Sequence, residues 1–142
     1  MFAKQLSVFI ENRQGRLGEV LNVLKKEKVN ILSLSLADTT EYGLLRLIVD
    51  KPEYGKEKLS KEGFSTLLTD VFVIRIPHKA GSLQELLESF SDTDINIEYM
   101  YGLSLDGDKA SVVLKASNTA KAQEILNNKG IKTLTIEEIK TI

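Results

Sequence analysis

Residues Asn12–Leu24, NRQGRLGEVLNVL, and His78–Phe90, HKAGSLQELLESF, are two copies of one pattern, and each follows an apolar run with the alternation of a strand. Placing Gly15 on Gly81 brings Leu17 onto Leu83, Glu19 onto Glu85, Leu21 onto Leu87 and Asn30 onto Asn96 without a gap. Apolar character keeps the same register: Val8 falls on Ile74, Ile10 on Ile76, Val20 on Leu86, Leu24 on Phe90, Val29 on Ile95 and Ile31 on Ile97. Further along, Gly63 reaches Gly130 after a single inserted residue. The chain is therefore read as one folding unit built twice, residues 1–69 and 70–142.

Within the first unit, Leu6, Val8 and Ile10 alternate with Gln5, Ser7 and Phe9, which predicts a strand. After the polar turn Glu11–Gly15, Leu17, Val20, Leu21 and Leu24 recur at the spacing of one helix face. Ile31–Leu36 and Leu44–Val49 predict a strand hairpin with its turn at Asp38–Gly43, and Pro52–Lys61 predicts a helix closed by Gly63. Phe64–Thr69 predicts a fourth strand, and after Asp70 the run Val71–Ile76 opens the second unit. That unit repeats the order: a helix from Ser82 to Phe90, strands Ile95–Leu103 and Ala110–Leu114 around Asp106 and Gly107, a helix capped by Asn118, and a last strand Ile131–Ile136. Each unit is thus expected to be α+β, with the order βαββαβ: a four-stranded antiparallel sheet with both helices on one face.

Composition narrows the function classes. With 142 residues, 42% hydrophobic and 27% charged, the chain suits a globular protein, and no apolar run approaches the roughly 20 residues of a membrane helix. Met1–Ile10 lacks the features of an export signal, so a cytoplasmic location without a membrane partner is expected. Nineteen basic residues against twenty acidic give a net charge of −1, unlike the basic surplus of a nucleic-acid binder. An RNA-binding sheet would also need aromatic residues on Leu44–Val49 or Ala110–Leu114, and neither run has one; Tyr99 and Tyr101 are read as covering the sheet.

Chemistry has few carriers. There is no cysteine and a single histidine, His78, so no thiolate metal site, nucleophilic triad or HExxH motif exists, and neither catalytic nor metal residues are assigned. Asp92, Asp94 and Glu98, or Glu137 and Glu138, are acidic groups near element ends, where carboxylates are commonplace. The two glycine turns remain. Each serves a tight strand-to-helix bend, or it also lets a small anion approach the bare amides of Arg16 and Leu17, or of Ser82 and Leu83, at a helix start. Asn30 and Asn96 either satisfy loop amides or present a carbonyl to an ammonium group and an amide to a carboxylate.

With Asn12, Gly15, Leu17, Val20 and Leu21 after a strand, then Val29, Asn30 and Ile31 entering the next, and the same order again in the second half, the chain resembles the ACT domain family over nearly its whole length. The resemblance implies ferredoxin-like units whose sheets pair side by side into an eight-stranded sheet with helices on one face. It implies a regulatory module that holds a small amino acid at the junction of units, forms a homodimer, serves an enzyme of amino-acid metabolism, and has no catalytic activity and no cofactor. Carried over by position, the ligand loop falls on Asn12, Arg13, Gln14, Gly15, Arg16 and Leu17, with Asn30 and Ile31 on a facing strand. In the second unit it falls on His78, Lys79, Ala80, Gly81, Ser82 and Leu83, with Asn96 and Ile97. Gln14 and Ala80 replace the family's frequent proline, and His78 replaces the usual Asp or Asn, so the second site is expected to be the weaker or to select a different ligand. The alternative is an interaction module without its own ligand, docked on a metabolic enzyme.

Overall fold

The computed structural model describes residues 2–38 and 41–141, so the hairpin turn expected at Asp38–Gly43 lies partly outside the described residues. Contacts group Lys4–Thr69 into one compact unit and Asp70–Ile142, with Met1–Ala3, into another. The elements run β1 (Ala3–Glu11), α1 (Arg16–Lys26), β2 (Ile31–Asp38), β3 (Tyr42–Val49), α2 (Pro52–Lys61) and β4 (Ser65–Pro77). They continue with α3 (Ser82–Glu88), β5 (Ile97–Asp106), β6 (Lys109–Ala116), α4 (Thr119–Asn128) and α5 (Ile136–Ile139).

In the first unit β3 lies antiparallel between β2 and β1, with Leu47 opposite both Leu6 and Leu34. This register puts Leu6, Val8, Ile10, Leu45, Leu47 and Val49 on one face, where Val20 and Leu24 of α1, Leu59 of α2, and Phe64 bury against them. Both helices therefore share a face, as their periodicity predicts. Each such side chain contributes about 1.5–3 kcal/mol by leaving water. On β1 the alternate positions Gln5 and Ser7 are buried too, and Gln5 Nε2 donates to Ser7 Oγ at 3.1 Å, so that polar pair is satisfied.

The second unit repeats the arrangement with β6 between β4 and β5. Phe72, Ile74, Ile76, Val112, Leu114 and Ala116 receive Leu86 of α3, Phe90, and Ala122 and Leu126 of α4. Three helices end in the same closure. Val29 N–H donates to the Leu24 carbonyl, Phe64 to Leu59 and Ile131 to Leu126, at 2.9, 3.1 and 2.9 Å, each just after a left-handed residue: Lys28, Gly63 and Gly130.

Six strands, not the expected eight, are present among the described residues. One reason is that Phe64–Thr69 and Val71–Ile76 merge. β4 runs without interruption from Ser65 to Pro77, because one polar residue, Asp70, does not break a period of two or supply the two residues of a tight turn. The other is the chain end, where Ile131–Ile136 does not form a strand. Thr133 makes a single bridge to Ile74, the Leu134 N–H donates to the Val73 carbonyl at 2.8 Å, and Thr135 then caps α5. Thr135 Oγ1 accepts from the Glu138 N–H while Glu138 Oε1 accepts from the Thr135 N–H, a closed capping box that turns the backbone out of extended geometry.

Candidate functional site

The two glycine turns have nearly the same backbone. Gly15 has φ 90° and ψ −15°, Gly81 has φ 88° and ψ −10°, and both precede a helix as left-handed caps without a side-chain hydrogen bond. A Cβ at either position would meet nothing within 4 Å, so conformation rather than crowding requires glycine. The Arg16 and Ser82 amides turn back onto the Arg13 and Lys79 carbonyls at 3.4 and 3.3 Å. The first helical bonds run from Glu19 to Gly15 and from Glu85 to Gly81, at 3.0 and 2.9 Å, so the Leu17 and Leu83 amides lie before them with no helical acceptor. Each turn is also tied to its hairpin: the Asn12 N–H donates to the Glu41 carbonyl at 3.1 Å, and the His78 N–H to the Asp108 carbonyl at 2.6 Å.

Side chains separate the turns. In the first, the Arg16 guanidinium stacks 4.3 Å from the Phe64 ring centre and pairs with Glu19, while Arg13 pairs with Glu11 at 3.1 Å. In the second, the equivalent of Arg16 is Ser82, and the turn opens on a cleft of about 950 Å³. His78, Lys79, Ala80, Ser82 and Leu83 line it, together with Ile76 and Pro77 at the end of β4, Gly102–Leu105 of β5, and Ala110–Val112 of β6. Most of this lining is hydrocarbon.

A bulge shapes the cleft. Gly102 pairs with Val112 and Ser104 with Ser111, so Leu103 is an extra residue in β5. A regular strand would turn alternate side chains to opposite faces, yet four consecutive residues reach this one cleft. Ser82 Oγ and Ser104 Oγ, both at the cleft, are buried and have no hydrogen-bond partner. Sequence reasoning missed the β5 and β6 residues, although Gly102 inside a strand is a sequence signal for a bulge.

The expected facing residues lie elsewhere. Register sets Glu11 level with Tyr42, whereas Ile31 is level with Val49, about 23 Å of strand rise away. Within one unit, Asn30 and Ile31 thus sit at the opposite end of the sheet from Asn12–Leu17, which corrects the expectation that they face the ligand loop. Asn96 and Ile97 stand likewise at the far end of β5 from the cleft. Their backbones do structural work: the Asn30 N–H donates to Asp50 Oδ1 at 2.9 Å, and the Asn30 carbonyl accepts from the Asp50 N–H at 3.1 Å. Asn96 and Ser117 repeat this exchange at 2.9 and 2.8 Å. Ile31, Ile97 and Leu17 pack against the cores.

Of the acidic groups near element ends, Asp94 and Glu138 are held by lysines. Asp94 pairs with Lys121, whose hydrogen bond and charge hold the carboxyl below its usual range. Glu138 is held low by Lys132, at 2.8 Å, and by the Thr135 backbone. Tyr99 and Tyr101 stack on each other, with centroids 6.5 Å apart, and do not line the cleft. A more polar cavity of about 610 Å³ also touches Ser82; of its charged groups, Arg75 pairs with Asp106 and Lys132 with Glu138. Among the described residues no group of three or more His, Cys, Asp or Glu is placed to hold a metal ion, and no helix is long and apolar enough to cross a membrane.

The family model described as the ACT domain pair matches residues 1–142. Comparison with curated proteins gave no match. Among solved structures, a protein from Bacteroides thetaiotaomicron is similar at 37% identity and a TM-score of 0.93, over 100% of this chain and 98% of that one. The regulatory subunit of aspartate kinase from Thermus thermophilus, in a ligand-free form, is similar in fold at 16% identity and a TM-score of 0.62, over 88% and 91% of the two chains. The same subunit from Thermus flavus gives 14% and 0.61, over 87% and 88%.

Proposed function

The chain belongs to the ACT domain pair family, and on that premise we propose that it is a non-enzymatic regulatory protein that binds a free amino acid at its strand-to-helix glycine turns. The observation that carries this reading is the second turn, where His78–Leu83 borders a cleft large enough for a small ligand. In the proposal, amides at the start of the helix and Lys79 attract the carboxylate, each charge-assisted hydrogen bond contributing about 1.5–3 kcal/mol. Asn12–Leu17 forms the counterpart in the first unit. This ranks the second turn first, where the sequence ranks it second, because Ser82 leaves open the space beside the turn and Arg16 is engaged. Asn30, Ile31, Asn96 and Ile97 take part only if a second copy of the chain supplies them, which a homodimer would do.

Calorimetric titration of the whole chain with the common amino acids tests the reading. Binding by at least one of them, abolished by Gly81→Leu in a protein that remains folded, is the expected result; no heat from any of them would overturn it.

The second reading, a docking module without its own ligand, draws on half-exposed Leu34 and Leu36, which lie 51% and 47% exposed on β2. Co-purification of an amino-acid-metabolising enzyme with a chain that binds no amino acid would favour it. Residues 1–69 and 70–142 are taken as the two domains in either case, and a cytoplasmic setting follows from the role.

A further inference from the structure

We infer that the ligand of the second turn is an amino acid with a large apolar side chain, branched aliphatic or aromatic, seated in the cleft opened by the Leu103 bulge; this rests on the reading of the turn as an amino-acid seat. The walls that such a side chain would touch are Ile76, Leu83, Leu103, Leu105 and Val112. Glycine or alanine would leave those walls uncovered. A charged side chain would lose its hydration there, since the titratable side chains lining the cleft are His78 and Lys79, both on the turn that takes the carboxylate.

Two polar groups set the orientation. Ser82 is 5% exposed, and its Oγ, like Ser104 Oγ, is buried without a hydrogen-bond partner at the cleft. An unpaired buried hydroxyl is costly, and the ammonium and carboxylate of an amino acid supply the donor and acceptors that a pure hydrocarbon lacks. The ligand therefore has a polar head at Ser82 and the turn, and an apolar body that covers Ile76, Leu83, Leu105 and Val112 rather than Ser104. Burial of the side chain favours leucine, isoleucine or phenylalanine over alanine by about ten- to a hundredfold in affinity.

The test is calorimetry on the whole chain with leucine, isoleucine, phenylalanine, alanine, glycine, aspartate and lysine, repeated on two variants. Gly102 has no positive φ, and a Cβ there would meet nothing within 4 Å, so Gly102→Val adds bulk to the cleft without strain. Leu105 is 69% exposed, so Leu105→Ser removes wall surface at little cost to folding. Expected are tightest binding of one large apolar amino acid, at least tenfold weaker binding in Gly102→Val, and a smaller loss in Leu105→Ser. If alanine, aspartate or lysine binds as tightly, or if neither variant alters the preference, the inference fails while the amino-acid reading stands. Silence from all seven and from every other common amino acid removes both.

Discussion

The Arg16 guanidinium lies 4.3 Å from the centre of the Phe64 ring, and this stack distinguishes two turns whose glycines differ by only a few degrees. Because Ser82 holds the matching position in the second unit, the two turns share a backbone but not an environment. The expected titration has one tighter amino acid per chain, at the second turn, and weaker binding at the first. Two equal sites by calorimetry would show that Arg16 yields its stack to a ligand at no cost.

Arg16→Ala removes the stack and the Glu19 ion pair together. The loss expected is about 0.5–2 kcal/mol, most of it from the cation over the ring, since the ion pair is half exposed. Urea unfolding, compared with Glu19→Gln, separates the two contributions; the Glu19 variant is expected to change stability by less than half as much.

Gly15→Ala and Gly81→Ala place a Cβ in open space but force an L residue to φ near 90°. Each is expected to cost about 1–2 kcal/mol through backbone strain alone. Lys28 provides the reverse case: a non-glycine residue at φ 56° in the closure after α1. Lys28→Gly relieves that strain against a larger entropy of the unfolded chain, so a net gain of up to about 1 kcal/mol is expected in denaturant unfolding.

Acid is expected to weaken the second unit. Asp94 is lowered by its hydrogen bond with Lys121 and by that charge, and Glu138 is lowered by Lys132 and the Thr135 backbone. A carboxyl lowered in the folded state stabilises it above the unfolded value, and the contribution disappears as pH falls through the folded value. Lys121→Gln and Lys132→Gln should each flatten the acid limb of a stability-against-pH curve below about pH 4. Tyr54 behaves oppositely. The phenol donates to Glu27 at 2.9 Å and is raised, so its contribution is lost as pH rises past the folded value.

Thr135→Ala removes one half of the capping box, with an expected cost of about 0.5–2 kcal/mol. Amide exchange should quicken at Leu134 and along α5 before it does in α4. Uniform acceleration across the second unit would instead mean that the chain end is integral to the core.

The doubling, the element order and the packed helix faces were legible because hydrophobic period is local: Leu6, Val8 and Ile10 alternate, and Val20 and Leu24 share a face. The eighth strand was misread because Ile131–Ile136 is apolar and short, while Thr135 and Glu138 carried a capping signature three residues apart that outweighed it. His78 distinguished the turns in the sequence, but not the open space beside the second, since Ser82 acquires significance only from strands twenty and more residues distant. The placement of Asn30 failed for a related reason: register, not proximity to the loop, decides which end of a sheet a strand start occupies.

Leu103 is a surplus member of its hairpin, matched by no residue on β6, as Glu98 is at the other end of β5. Removing Leu103 would make Gly102 and Ser104 successive partners of Val112 and Ser111, restoring plain alternation at this end of the strand and taking away the extra backbone that lets four neighbouring residues border one cleft. The shape of this cleft thus depends on the count of residues in a strand as well as on its side chains, and a single-codon deletion there is a sharper change than most substitutions.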